Sequence, residues 1–324
     1  MKSNPPRFLA PVMPDLEAVN AVIREQMRSD IVLIGRIADY IINAGGKRIR
    51  PILLLLMAKA FGYEGNQHQM LAAVVEFIHT ATLLHDDVVD EAGLRRGRPS
   101  ANVLFGNAAS VLVGDFLYTR AFQMMVSVNS MPVQRVLADA TNLIAEGEVM
   151  QLMNARSASL DEAGYRRVIY AKTAKLFEAA CELGAMVAGA SPEGVALAVS
   201  YGRSLGNAFQ LVDDLLDYAS DAGTMGKQAG NDLKEGKMTL PLIWLMQNGA
   251  PEQKAAIQRC IEENDESCFL QVFNAVRESK ALNYTHEIAR REAEVAVKSI
   301  QGLPDSKYRQ SLIELCAFSV QRDY

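Results

Sequence analysis

Six aspartates at the ends of two predicted helices carry the most distinctive chemistry of this chain. The pattern Asp-Asp-x-x-Asp occurs at residues 86–90 and again at residues 213–217. On a helix the first and third acids of such a pattern lie one turn apart on one face, so their charges repel unless a cation lies between them. Carboxylate oxygens favour hard cations, with Mg²⁺ first among them. Both patterns therefore predict Mg²⁺ binding.

The two patterns together predict the kind of ligand as well. Mg²⁺ keeps several waters and completes its coordination with substrate phosphates, so two facing carboxylate clusters suggest a diphosphate held between metal ions. A single pattern is explained equally well by a solvated acidic helix end. Two patterns, each at the end of an apolar helix, favour the metal site.

Basic residues accompany both acidic patterns. Arginine guanidinium groups bind phosphate oxygens in pairs, and a helix that begins after Gly46 offers free N–H groups and a favourable dipole. Each basic residue alone is more typical of a solvated surface. As a group they predict two anionic substrates, one held by metals and one held directly by Arg and Lys. The group consists of Lys47, Arg48, Arg50, Arg95, Arg96, Lys227, Lys234 and Lys237.

Helices must position these side chains. Of the 324 residues, 49% are hydrophobic and 7% aromatic, so a sizeable core is expected. Apolar residues recur at intervals of three or four almost throughout, which predicts roughly ten to twelve helices and almost no strands. A capping box at residues 159–162 and the pair Ser191-Pro192 predict helix starts. With no long linker, the expected fold is all-α, in a single domain over residues 1–324.

Composition excludes several classes of protein. The formal net charge of −5 argues against a surface that attracts nucleic acid. No apolar run reaches the 18 or so residues of a membrane span, and the proline-rich N-terminus is not typical of a signal peptide, so we expect a cytoplasmic protein. The four cysteines lack metal-site spacing and are expected to be buried, reduced thiols.

The motifs resemble those of the trans-isoprenyl diphosphate synthases, specifically the long-chain polyprenyl synthases of the octaprenyl type, over nearly the whole chain. The matching segments are GGKRIRP from Gly45, LLHDDVVDEAGLRRGRPSAN from Leu83, GDFLYTRAF from Gly114, EGEVMQL from Glu146, KTAKLFE from Lys172, GNAFQLVDDLLDY from Gly206 and GNDLKEGKMTLPL from Gly230. The resemblance implies a helical bundle around a deep central cavity, three Mg²⁺ ions with substrate bound, and a homodimer.

The implied reaction is the repeated head-to-tail addition of isopentenyl diphosphate to an allylic diphosphate such as farnesyl diphosphate. The resemblance implies four groups of site residues. Mg²⁺ is held by Asp86, Asp87, Asp90, Asp213, Asp214 and Asp217. The allylic diphosphate is neutralised by Arg95, Lys172, Lys227 and Lys237. Isopentenyl diphosphate is seated by Gly46, Lys47, Arg50, His79 and Arg96. Oxygens near the allylic cation come from Lys172, Thr173 and Gln210.

Product length in such enzymes depends on what blocks the cavity below the first aspartate motif. Here Ala81 and Thr82 lie about 6–8 Å along the helix from Asp86. Neither is aromatic, so we expect a product of about eight isoprene units for a quinone side chain, with nine or ten units as the alternatives. Met124, Met125 or Val149 is expected to form the cavity floor, and product release is expected to involve transient membrane contact.

Two other classes of protein are also compatible with part of this sequence pattern. A terpene cyclase shares the aspartate chemistry, but it typically carries one such motif and has no need of the basic segment at residues 45–50. A non-catalytic partner subunit would tolerate loss of motif residues, and none is missing here.

Overall fold

The computed structural model describes residues 6–43, 45–219 and 230–321. Within them the chain is almost entirely helical, as the spacing of apolar residues predicts. The α-helices are α1 (Met13–Gln26), α2 (Val32–Asn43), α3 (Ile49–Ala60), α4 (Gln67–Val89), α5 (Ala101–Phe105), α6 (Asn107–Ser127), α7 (Met131–Asn154), α8 (Glu162–Ile169), α9 (Lys175–Val187), α10 (Pro192–Ala219), α11 (Asn231–Lys234), α12 (Leu240–Asn248), α13 (Pro251–Glu262), α14 (Phe269–Glu278), α15 (Ala281–Ser299) and α16 (Lys307–Val320).

Three further helical segments have other geometries. Arg7–Val12 and Glu266–Cys268 are 3₁₀ helices, and Tyr170–Ala174 is a π-helical turn that joins α8 to α9 without a break. The described residues thus contain more helical segments than predicted, because short turns and changes of helix type subdivide the apolar runs. The two strands, β1 (Leu94–Arg95) and β2 (Arg98–Pro99), form one antiparallel hairpin that the sequence did not predict.

By their internal contacts the residues divide into two compact units. The first comprises Met1–Thr141, Ala179–Ala198 and Leu303–Leu312. In this unit α4 packs against α1, α3 and α6. Nearly every residue of α3 and most residues of α4 are buried, which explains why both sequences are apolar around the whole helix rather than on one face. The prediction of a single domain stays a prediction.

The second unit comprises Asn142–Glu178, Val199–Gly302 and Ile313–Tyr324. Its core includes Tyr165, Leu211, Tyr218, Leu240 and Phe273, and α12 packs against α15 while α13 packs against α14. The α8 helix begins where the capping box was predicted, but the cap is Asp161, which accepts a hydrogen bond from the Gly164 N–H, and not Ser159. A carboxylate three residues before that N–H has the better geometry for the first turn.

Two smaller predictions are also confirmed. Ser191 does cap α10, because its hydroxyl accepts from the Gly194 N–H. After the second aspartate motif, residues 220–229 lie outside the described part and Asn231–Lys234 form the short helix α11. All four cysteines are free and buried, as expected. None of the described helices combines the length and hydropathy needed to cross a membrane.

Candidate active site

The first aspartate motif forms the end of α4. The Asp90 N–H donates to the Asp86 carbonyl over 2.8 Å, so the helical spacing continues through the motif and Asp86 and Asp90 lie one turn apart, as predicted. Both side chains are half-buried, whereas Asp87 between them is only 2% exposed. The three acids of the motif therefore have two different environments.

Asp87 is paired with an arginine. The Arg95 Nε donates to Asp87 Oδ1 over 2.6 Å. Burial raises the pKa of Asp87, and the neighbouring Arg95 guanidinium opposes that rise. Arg95 reaches this position because it lies on β1, and the hairpin turn is made by Arg96 and Gly97, both with positive φ.

The hairpin also brings Arg96 to the segment at residues 45–50. Arg96 Nη1 donates to the Gly45 carbonyl, and a Cβ atom added to Gly46 would lie 2.8 Å from that nitrogen. Gly46 has a φ of 155°, a backbone conformation that other residues rarely adopt. The close approach of the arginine to the backbone explains the glycine. Two residues predicted to bind the same substrate are thus in contact.

His79 lies among arginines. Arg50 Nη1 donates to His79 Nε2 over 3.0 Å. Burial lowers the pKa of His79 well below its ordinary value, and the charges of Arg50, Arg96, Arg95 and Arg48 lower it further. The imidazole is therefore neutral near pH 7, and the surrounding guanidinium groups make this a site for an anion.

A buried acid in the same place escaped the sequence analysis. Glu76, 6% exposed, forms an ion pair with Arg48, which directly precedes α3 in a left-handed conformation with φ of 50°. Glu76 lies one turn before His79 on α4. The sequence signal for Glu76 is that it is an acid on an otherwise apolar helix. A buried acid requires a partner.

The second unit contains a cavity of about 140 Å³ that is lined by predicted site residues. Its lining includes Lys172, Thr173, Gln210, Asp214 and Lys237. These residues come from the π-helical turn, from α10 and from the segment after α11. Tyr165 and Asp232 also line the cavity, although the sequence analysis did not single them out.

Four side chains in this cavity form a continuous chain of hydrogen bonds. Thr173 Oγ1 donates to Gln210 Oε1 over 2.8 Å, and Gln210 Nε2 donates to Asp214 Oδ1 over 2.8 Å. The Tyr165 hydroxyl donates to the other oxygen, Asp214 Oδ2. Burial raises the pKa of Asp214 to about 7, although the bonds from Tyr165 and Gln210 favour its charged form.

The second motif therefore repeats the arrangement of the first. Asp214 is 3% exposed and hydrogen-bonded, whereas Asp213 and Asp217 are half-buried. Asp217 accepts from the N–H groups of Asn231 and Asp232 at 3.0 and 3.1 Å, so its carboxylate caps α11. In each motif the second aspartate is an interior group, and the first and third are more accessible.

The π-helical turn forms part of the wall of this cavity. The Lys175 N–H donates to the Tyr170 carbonyl five residues earlier, which defines the wider helix. Within the turn, Lys172 Nζ bonds Glu148 of α7 at 2.8 Å. A Cβ atom on Gly147 would lie 2.8 Å from the Lys172 backbone nitrogen, so only glycine permits this close packing.

Comparison with known proteins assigns the family. The family model for polyprenyl synthetase matches residues 32–278. The chain belongs to the polyprenyl synthetase family. This membership confirms the family resemblance, the all-α fold class and the prediction that the chain is a prenyltransferase, and the relatives described next confirm that it makes long-chain polyprenyl diphosphates.

The relatives of this chain match it over almost their whole length. Octaprenyl diphosphate synthase of Escherichia coli (strain K12) is 53% identical over 310 residues, which are 95% of this chain and 96% of the relative. An all-trans-nonaprenyl-diphosphate synthase, geranyl-diphosphate specific, of Rhodobacter capsulatus is 46% identical over 316 residues, 97% of each chain. The crystal structure of a polyprenyl synthase from Caulobacter crescentus CB15, complexed with calcium and isoprenyl diphosphate, has a TM-score of 0.93, with 44% identity over 98% of this chain and 97% of that one.

The donor chemistry of both motifs fits Mg²⁺. In the part of the chain that the structure describes, no group of three or more His, Cys, Asp or Glu side chains is placed to hold a metal by itself. Mg²⁺ is usually bound by one or two carboxylates together with water and substrate phosphates. Asp86 with Asp90, one turn apart, provides such a two-carboxylate set, and Asp213 with Asp217 provides another.

The remaining predicted residues fall into three groups. Ala81 is fully buried on α4, and the Thr82 hydroxyl donates to the His79 carbonyl over 2.9 Å. Met124 and Met125 are buried and Val149 is 56% exposed, and the part that any of them plays in a cavity floor stays a prediction. Lys227 lies outside the described residues.

Proposed function

We propose that this enzyme elongates an allylic diphosphate, with farnesyl diphosphate as the starting substrate, by repeated addition of isopentenyl diphosphate to an octaprenyl product of about C40 for a quinone side chain. The observation that best supports this proposal is the repeated aspartate motif, in which a buried, hydrogen-bonded second acid lies between two more accessible acids. The 53% identity to an octaprenyl diphosphate synthase supports the product length.

Asp86, Asp90, Asp213 and Asp217 hold the ions in this proposal, while Asp87 and Asp214 act through hydrogen bonds that fix the motifs. The chemistry that Mg²⁺ supplies when bound, as three ions with substrate present, is neutralisation of the departing diphosphate. Calcium and isoprenyl diphosphate in the Caulobacter enzyme support a divalent cation beside a diphosphate in this fold. The side chains that add positive charge to the same group are Arg95, Lys172, Lys227 and Lys237.

The site around His79 seats isopentenyl diphosphate. Arg50 and Arg96 provide the guanidinium donors, while Lys47 and the Gly46 backbone complete the pocket for its phosphates. A neutral His79 holds Arg50 in place and adds no repulsion toward these cations. This arrangement supports a site that binds its anion directly through basic side chains.

Thr173 and Gln210 stabilise the allylic cation. Their oxygens belong to the hydrogen-bond chain that ends at Asp214, so their dipoles are fixed before the substrate binds. Fixed oxygen dipoles stabilise a developing positive charge without the cost of reorientation. In the same proposal, the carbonyl of Lys172 lies near the cation, and the released pyrophosphate accepts the proton that is lost when the new double bond forms.

Ala81 and Thr82 leave room for a long product in this proposal. A nonaprenyl product is the second candidate, because a nonaprenyl-diphosphate synthase is 46% identical over 97% of this chain. We propose further that the chain is a single-domain cytoplasmic enzyme and that it forms a homodimer. Exposed apolar side chains on one face of α6 support the dimer: Leu112 is 66% and Val126 is 59% exposed. A long prenyl tail supports transient membrane contact on release.

One experiment tests the activity and its alternatives together. The purified chain is incubated with farnesyl diphosphate, isopentenyl diphosphate and Mg²⁺, and the products are sized. We expect octaprenyl diphosphate. A cyclised hydrocarbon would support a terpene cyclase, the absence of any product would support a non-catalytic subunit, and a product no longer than geranylgeranyl diphosphate would overturn the proposed length.

A second experiment tests the metal ligands. Replacing Asp86 or Asp213 by Ala is expected to lower turnover by about 100-fold or more, since charge neutralisation of the leaving group is lost. Asp139→Ala is the control, because Asp139 is an exposed acid on α7. Equal activity of all three variants would refute metal binding by these motifs.

A further inference from the structure

Glu178 lies at the centre of a network of side chains beside the π-helical turn. It is only 3% exposed and accepts three hydrogen bonds. Lys175 Nζ donates to Oε1 at 2.6 Å, while the Tyr170 hydroxyl and Arg203 Nε donate to Oε2 at 3.0 and 2.7 Å. Arg203 also lies over the Tyr170 ring, 5.1 Å from its centre. None of these four side chains is among those that line the 140 Å³ cavity.

The network ties both ends of the π-helical turn to one carboxylate. Tyr170 is the first residue of the turn and Lys175 is the first residue after it. A π-helical turn is rare and occurs frequently at functional sites. Surrounding contacts must hold its wider backbone. Here the held segment contains Lys172 and Thr173, which both line the cavity.

The network also fixes this turn against α10. Arg203 lies seven residues before Gln210, so both lie on nearly the same face of that helix. Two glycines allow close contact there. A Cβ on Gly202 would lie 2.6 Å from the Phe177 carbonyl oxygen, and one on Gly206 would lie 2.5 Å from the Ala174 Cα.

Glu178 remains charged in this setting. Burial by itself would raise its pKa, but the hydrogen bonds from Lys175 and Arg203 outweigh burial and lower it. A buried carboxylate with three donors has one well-defined geometry, whereas an amide in its place must offer a donor to groups that are themselves donors. Replacement of Glu178 by Gln therefore disturbs the network while keeping the side-chain volume.

We propose that Glu178, together with Tyr170 and Arg203, is a positioning residue for prenyl transfer, which holds the π-helical turn so that Lys172 and Thr173 face the reacting substrate. The inference rests on the roles proposed above for Lys172 and Thr173. Glu178 itself does not contact substrate. Its effect is transmitted through the backbone of the turn and through the Thr173–Gln210 hydrogen bond.

The test compares Glu178→Gln and Tyr170→Phe with a matched variant, Glu162→Gln. Glu162 accepts hydrogen bonds from Arg166 and Tyr284, each over 2.9 Å, so it has partners of the same kind on the preceding helix but away from the turn. We expect Glu178→Gln to lower kcat about 10-fold to 100-fold and Tyr170→Phe less, because small displacements of reacting groups are costly. The KM for isopentenyl diphosphate should change less than about twofold, because that proposed site contains none of these residues.

Two further measurements separate positioning from general stability. Amide hydrogen exchange over Ala171–Ala174 should become faster in Glu178→Gln and stay unchanged in Glu162→Gln. The double variant Glu178→Gln/Thr173→Val should lose much less than the product of the two single losses, since both act on one turn.

The outcomes distinguish this inference from the proposed site roles. If Thr173→Val or Lys172→Ala lowers turnover but Glu178→Gln does not, the positioning role is wrong and the site roles stand. If neither Lys172→Ala nor Thr173→Val lowers turnover, the site roles fail, and this inference fails with them. Fully multiplicative effects in the double variant, or equal kinetic losses in the two glutamate variants, would also overturn the positioning role.

Discussion

Thr173 donates a hydrogen bond to the side-chain oxygen of Gln210 over 2.8 Å, and this bond links the π-helical turn to the helix of the second aspartate motif. Gln210 in turn donates to Asp214, so the orientation of its amide is set from both sides. A threonine hydroxyl inside a helical segment commonly bonds a carbonyl of its own helix. Here the hydroxyl bonds Gln210 on a neighbouring helix, as expected of a residue that orients another side chain of the site.

Removal of this hydroxyl should affect chemistry more than stability. Thr173→Val keeps the shape of the side chain, but Gln210 loses the donor that orients it, so we expect single-turnover rates to fall about 10-fold. Thr285→Val is the control, because Thr285 is also buried and its hydroxyl bonds only its own helix, at the Ala281 carbonyl. Equal rates in the two variants would contradict a role for the Thr173 hydroxyl.

The buried Asp214 should make the metal-free protein less stable as the pH rises. Its pKa is about 7 in the folded protein, above the ordinary value of 3.8, so the stability contributed by its protonated form is present at low pH and is lost between about pH 4 and pH 7. Asp214→Asn removes this loss. With a chelator present, the melting temperature of the variant should exceed that of the wild type by several degrees at pH 8 and by less at pH 5.

Asp214→Asn should also have a lower turnover than the wild type, because a neutral amide cannot contribute negative charge to the second motif. A variant that is more stable but less active than the wild type is the expected result when a buried carboxylate serves function at a cost in stability. If Asp214→Asn is no more stable than the wild type at pH 8, then the ionised Asp214 side chain does not destabilise the folded protein.

Product length should respond to bulk at Ala81. Ala81 is fully buried on α4, five residues before Asp86. Ala81→Phe is expected to shorten the product to about geranylgeranyl length while the first condensation continues, at a cost of about 1–3 kcal/mol from overpacking. Ala81→Ser is the volume control and should still give the long product. If Ala81→Phe folds, is active and makes a product of unchanged length, then the growing prenyl chain does not pass Ala81.

Packing at the π-helical turn should depend on Gly147. A Cβ there would lie 2.8 Å from the Lys172 nitrogen and 2.9 Å from the Ala171 Cβ, so Gly147→Ala must displace the turn. We expect a lower melting temperature and reduced kcat. Gly35→Ala is the control, since nothing lies within 4 Å of its added Cβ and helix propensity favours alanine by about 1 kcal/mol. The prediction fails if the two variants have the same melting temperature.

Much of this molecule follows from local sequence. The helices that end in aspartates, the one-turn spacing of Asp86 and Asp90 and the cap at Ser191 depend on periodicity and on short-range hydrogen bonds, which the residues themselves specify. The family motifs added the roles of Lys172 and Gln210. The structure brings these two side chains to one cavity, although neither has a distinctive local pattern.

Other features depend on contacts between distant segments. The π-helical turn contains no glycine or proline to mark it, and it is held by Gly147, Glu178 and Arg203 from elsewhere in the sequence. The hairpin at residues 94–99 turns through Arg96 with positive φ, a conformation that turn statistics assign to glycine or asparagine. The partner of Asp214, Tyr165, is 49 residues away. Spacing alone does not reveal such pairs.

The two aspartate motifs have the same sequence pattern but different electrostatic surroundings. In the first, the interior acid is balanced by a full positive charge on Arg95, so part of the negative potential of the motif is cancelled within the protein. In the second, the interior acid has neutral donors, a phenol and an amide, and its charge is left uncompensated when it ionises. We therefore expect the second motif to attract a cation more strongly than the first above pH 7. If both motifs bind metal as proposed, a titration with Mg²⁺ should fill the second motif before the first.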